Sequence, residues 1–99
     1  MKLIYYEIVE DCVESKNVYD AYLSMNVDIN FLEHLKESGK LHVIDVEEKK
    51  YFKIIKRGKY TIRGMVGDDV FRILMPDDAG VESLDTIKKI VNEYNKTSN

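Results

Sequence analysis

This chain of 99 residues contains one cysteine, one proline, two histidines and no tryptophan. Each shortage removes a class of mechanism. The lone Cys12 cannot close an internal disulfide, which suits a reducing compartment, so a cytoplasmic protein is expected. Because it stands between Asp11 and Glu14, it also lacks the positive surroundings that make a thiol reactive. His34, His42 and that cysteine form no metal-ligand spacing, since His-Glu-x-x-His and paired Cys-x-x-Cys are both missing. The five glycines include no dinucleotide-binding or Walker phosphate loop, and no serine is flanked like a hydrolase nucleophile. No catalytic residue, cofactor site or metal site is therefore expected, and an enzyme is the less favoured reading. Nor does any apolar run approach the ~20 residues of a membrane helix. The short apolar stretch after Lys2 is broken at Glu7, unlike a signal peptide.

What the chain does have is segregated charge. Residues 1–48 carry eleven acids and four bases, residues 49–63 seven bases and no acid, and residues 64–99 seven acids and four bases. The basic block, "KKYFKIIKRGKYTIRG" with its following glycine, sits inside a protein of net charge −3. Hydrophobic residues make up 44% and charged residues 33%, which places the chain among folded globules rather than disordered ones. Its length fits a single domain over residues 1–99, with 96–99 as a frayed tail.

Hydrophobic periodicity gives the elements. "KLIYYEIVE" reads as an interior strand with Ile4, Tyr6 and Ile8 on one face. From Glu14 to Met25 the spacing of Val18, Ala21, Tyr22 and Met25 reads as helical, and a second helical piece runs from an Asp28 N-cap to Glu37. Phe31, Leu32 and Leu35 form the stripe of that second piece, and Gly39 closes it in a left-handed conformation. "LHVIDV" is a strand. Strands 50–55, 59–66 and 69–75 form an antiparallel meander. A three-residue loop, Lys56-Arg57-Gly58, sets 54 opposite 60, and Gly67-Asp68 sets Ile62 opposite Ile73. Phe52, Ile54, Tyr60 and Ile62 then share the core side. A last helix runs from a Ser83 N-cap to Asn95, with Leu84, Ile87, Val91 and Tyr94 on its apolar stripe. The acidic doublets Glu47-Glu48, Asp68-Asp69 and Asp77-Asp78 fall at turns, where Asp bonds local backbone. The expected class is α+β: an antiparallel sheet with a three-strand meander, packed by helices.

The opposite side of the meander is the candidate interaction surface. It presents Tyr51, Lys53, Arg63, Met65, Val70, Arg72 and Leu74, with Lys56, Arg57 and Lys59 at the hairpin end. In this register Tyr51 faces Arg63, and Arg63 faces Arg72. Such a face is neither a normal core nor purely polar. The plainest account is that the cations solvate a hairpin and keep its edge from pairing. Among functional accounts, the favoured one is association with another protein or a second copy, with no membrane partner. A nucleic-acid partner is the alternative, through aromatics interleaved with bases on an open sheet or through residues 15–38 as a helix-turn-helix. A small-molecule or enzymatic role without a motif is the remaining one.

Overall fold

The computed structural model describes residues 2–9, 17–75 and 81–97. Cys12, the Asp77-Asp78 doublet and Pro76 lie outside them. Six strands form one antiparallel sheet: β1 (Leu3–Ile8), β2 (Asn17–Leu23), β3 (Lys40–Val46), β4 (Lys49–Lys56), β5 (Tyr60–Met65) and β6 (Val70–Met75), in the spatial order β1-β2-β6-β5-β4-β3. Helix α1 (Ile29–Leu35), prolonged by a 3-10 turn at Lys36–Ser38, and helix α2 (Val81–Thr97) pack on one face. This is the expected α+β class, an antiparallel sheet with the predicted meander β4-β5-β6 and a helical layer.

The core lies between that layer and the sheet. Phe52, Ile54, Tyr60, Ile62, Phe71, Ile73 and Met75 all point into it and are buried, as alternation along the meander predicts. Phe31, Leu32 and Leu35 of α1 and Ile87 and Val91 of α2 close over them. Gly64 belongs to this face too. A methyl group there would stand 3.0 Å from the Phe52 ring and 3.1 Å from Phe71 Cβ, so the rings of its two cross-strand neighbours fill the missing side chain's space.

Helix α1 starts where expected, with the Asp28 carboxylate accepting from the Phe31 N–H at 2.8 Å. It is stitched to α2 by His34, whose Nε2 donates to the Ile90 carbonyl at 2.7 Å. Tyr6 Oη donates to the Leu84 carbonyl at 2.7 Å, and this bond and the Leu3 N–H bond to Asn92 tie β1 to α2.

Several expectations are corrected. Asn17–Leu23 is a strand, not part of a helix. Its Val and two Tyr residues favour extended backbone, and period-two alternation puts Tyr19, Ala21 and Leu23 on the core side. The residues that seemed to form a helical stripe therefore divide between the two faces, and Met25 is exposed. Strand β1 is an edge strand rather than an interior one. A register shift between Leu3 and Tyr5 turns Leu3 and Tyr6 inward and leaves Ile4 60% exposed, while Ile8, on the face of Tyr6 at the end of the strand, is 68% exposed.

Gly39 has φ 167, an ordinary extended value, so left-handed closure is not its role. It is needed for close approach: a Cβ there would lie 2.5 Å from the Ile55 carbonyl oxygen. Ser83 is buried inside α2 rather than capping it, and α2 extends through Thr97 into the stretch read as a tail. The β4–β5 loop is Arg57-Gly58-Lys59, with Gly58 at φ 77, and Ile54 opposes Ile62. That register is two residues away from the predicted one. A two-residue slip leaves every side chain on its own face, so the core set held while the partners changed.

Candidate functional site

The helices cover one face of the sheet, and the other face presents a continuous pattern. Register links one residue per strand into a row across all six: Glu7, Asp20, Arg72, Arg63, Lys53 and His42. Charge changes sign along it, acidic on β1 and β2 and basic from β6 to β4. Arg72 marks the boundary. Its Nε donates to Asp20 Oδ1 at 2.9 Å and its terminal nitrogen to Oδ2 at 3.4 Å, with the two side chains 37% and 22% exposed.

Apolar and aromatic residues flank this row. On one side Tyr5 and Tyr22 stack with ring centroids 4.6 Å apart, followed by Val70 on β6. Met65 opposes Tyr51, and Tyr51 opposes Ile44. On the other side Val18, Leu74, Thr61, Ile55 and Lys40 follow one another across the strands. Val18 is fully buried, while Leu74 and Thr61 are half-buried. At the acidic end Tyr22 Oη donates to Glu7 at 2.9 Å, and this bond is the main reason the Tyr22 hydroxyl is held above its usual pKa.

All ten residues expected at the interaction surface lie on this face or its hairpin end. Lys53, Arg63 and Arg72 are neighbours in the charged row, and Val70 and Leu74 stand on either side of Arg72 along β6. Lys56, Arg57 and Lys59 surround the turn, which borders a depression of about 490 Å³ shared with Lys53 and Arg63. A second depression of about 450 Å³ lies between Tyr51, Met65, Arg72 and Ile44. The expected Tyr51–Arg63 pair is replaced: Lys53 faces Arg63, and Tyr51 faces Met65.

Strand β3 was read from sequence as a strand without a face, and it contributes what that reading missed. Val43, Ile44 and Val46 are 45%, 55% and 49% exposed, and Ile44 is in register with Tyr51. β3 is also the last strand of the sheet, with one edge unpaired among the described residues. The composition of "LHVIDV" contains the signal, but only its position at the edge shows that these β-branched residues are uncovered.

The remaining candidates stay apart. His34 is in the helical layer and His42 is on the opposite face beside Lys53. Among the described residues no three His, Cys, Asp or Glu side chains are grouped so as to hold a metal ion. No described helix is long and apolar enough to cross a membrane. Residues 15–38 hold no helix-turn-helix among the described residues, since β2 occupies the place of its first helix. Comparison of the chain with protein-family models, curated proteins and solved structures gives no match.

Proposed function

We propose that this chain is a non-enzymatic association module of the cytoplasm, which pairs with a second copy through the β3 edge and the adjoining open sheet face. One observation carries the reading. Val43, Ile44 and Val46 are about half exposed on a strand whose outer edge is unpaired among the described residues, next to exposed Tyr51 and Ile55 of β4. Edge strands are ordinarily guarded by charge, proline or a covering element, because an open apolar edge templates pairing. Here Lys40, His42 and Asp45 are the only polar residues among seven.

The strand is self-complementary. An antiparallel two-fold pairing centred on Val43 sets His42 against Ile44, Leu41 against Asp45 and Lys40 against Val46 of the other copy. No like charges meet, and the side chains stay on their own faces.

The test is solution mass by sedimentation equilibrium. The wild type is expected to be a dimer, and Ile44→Lys with Val46→Lys a folded monomer, because both positions are exposed and tolerate charge. Met65→Lys, on the open face away from the edge, is expected to remain dimeric; its dissociation would move the contact from the edge to the face. A wild type that stays monomeric at the highest reachable concentration would sink the reading.

A further inference from the structure

We propose that the depression at the β4–β5 turn is a binding site for phosphate-bearing polyanions, whether or not the β3 edge pairs. It has a volume of about 490 Å³ and is ringed by Lys53, Lys56, Arg57, Lys59 and Arg63. No carboxylate is among the described residues that line it, although acids outnumber bases in the chain as a whole. Thr61 also lines it, between Ile55 and Leu74 in the register, and adds a hydroxyl donor.

The register sharpens the inference. Like charges directly opposite one another across strands are destabilising. Here Lys53 opposes Arg63, which opposes Arg72. Asp20 answers Arg72 from β2, on the side away from β5 and the depression. Folding thus gathers five cationic side chains around one concavity, which favours an anion over a cation and a multiply charged anion over a monovalent one. Phosphate groups offer multiple charge and several acceptor oxygens, and the forked guanidiniums of Arg57 and Arg63 match them bidentately.

Lys53 and Arg63 also border the second depression, where Ile44, Tyr51 and Met65 supply aromatic and apolar surface. A phosphate chain alone would use the first depression. A single-stranded nucleic acid would use both, with phosphates among the cations and a base stacked on Tyr51.

The experiment uses the full chain, with inorganic tripolyphosphate followed by calorimetry and a short labelled oligouridine followed by anisotropy. Binding is expected at low salt. For the oligonucleotide, five neutralised phosphates give a log–log salt slope of about −3.5, roughly a hundredfold loss between ~50 and ~200 mM. Arg57→Glu with Lys59→Glu, both in the exposed turn, should weaken the phosphate-bearing ligand by about tenfold or more and flatten the slope. The control pair Lys88→Glu with Lys89→Glu, exposed on α2, should change little.

Two arms separate the sources. Oligouridine binding that falls about tenfold in Tyr51→Ala, with tripolyphosphate unaffected, assigns the site to single-stranded nucleic acid. Tripolyphosphate binding indifferent to Tyr51, with weaker or no oligouridine binding, assigns it to free polyphosphate. Failure of both probes at low salt, or equal losses in the two charge-reversed pairs, overturns the proposal. The charge-reversed variants alter neither β3 nor Tyr51, so sedimentation on those samples reports self-pairing separately.

Discussion

The two faces of β4, β5 and β6 are made by the same strands, one residue apart, and they follow different rules. Toward the helices Phe52, Ile54, Tyr60, Ile62, Phe71, Ile73 and Met75 are all buried, with Gly64 filled by its neighbours' rings, and charge appears only at the two ends of β4, at Lys50 and Lys56. Toward solvent, Lys53, Arg63 and Arg72 alternate along their strands with Tyr51, Met65, Val70 and Leu74. A face built only for solubility would separate like charges and avoid exposed β-branched residues. This one sets like charges opposite one another and adjoins the exposed apolar residues of β3. The covered face is explained by stability, whereas the composition of the open face is not, and it is there that self-pairing and polyanion binding are proposed.

The largest expected effect tests whether the faces differ in energy as they do in composition. Phe71 and Leu74 are both on β6 and point to opposite sides. Phe71→Ala should cost about 3–5 kcal/mol, the usual range for a buried phenyl, against about 1 kcal/mol for Leu74→Ala on the half-buried side. Urea denaturation of the two variants measures this directly. Equal costs would mean that the open face is packed like a core, and the division between them would fail.

The next effect concerns how the covering layer is fastened. Tyr6→Phe removes the bond to the Leu84 carbonyl and should cost about 1 kcal/mol at neutral pH. It also carries a pH signature. Burial first, and the charge of Asp85 second, push the Tyr6 hydroxyl up to about 12 from its ordinary value of 10.0. A tyrosine with a raised folded pKa contributes fully below its unfolded value, and the contribution is lost as pH rises through the folded one. Stability should therefore fall between about pH 10 and pH 12, and Tyr6→Phe should flatten that limb in thermal melts. An unchanged alkaline limb would mean that the hydroxyl is not held by the helical layer.

Much of the covered face was legible in the sequence, and much of the open face was not, for one physical reason. Burial imposes a period of two, so Phe52, Ile54, Ile62, Phe71 and Ile73 could be placed without knowing which residues pair across strands. The ten expected surface residues followed by subtraction. Pairing partners needed the register, and the turn motif left a two-residue ambiguity that burial cannot resolve. This is why Tyr51 was set opposite Arg63 instead of Met65. β2 was lost because Val18, Ala21 and Tyr22 also fit a helical stripe over a short window. With β2 went Asp20, the acid that pairs with Arg72, and the charged row reaching across all six strands. The edge position of β3 depends on sheet order, which no local pattern encodes.

Asp20→Asn tests that row. It keeps the side-chain shape but removes the charge that answers Arg72. The pair is only partly exposed, so a loss of about 1 kcal/mol is expected, at the upper end for surface ion pairs. The loss should shrink at high salt, where screening weakens both the attraction and the repulsion that remains between Arg72 and Arg63. A loss independent of salt would mean that the carboxylate acts as a hydrogen-bond acceptor and not as a charge.

The smallest expected effect has the opposite sign. Lys53 is exposed and stands between His42 and Arg63 in the register. Lys53→Glu replaces a repulsion with an attraction to Arg63, so it should stabilise the fold by a few tenths of a kcal/mol. The same change removes one of five cations from the depression at the turn and replaces it with an acid, so polyanion binding should weaken. Stability and binding would then move in opposite directions at one residue, as expected where a site retains charge that the fold does not need. Urea denaturation and tripolyphosphate calorimetry on this variant decide the point together. A gain in stability with unchanged binding would leave Lys53 as a solvating side chain. A loss of stability would mean that the lysine has a structural partner on the open face, and the contrast between the two faces would then be smaller than their composition implies.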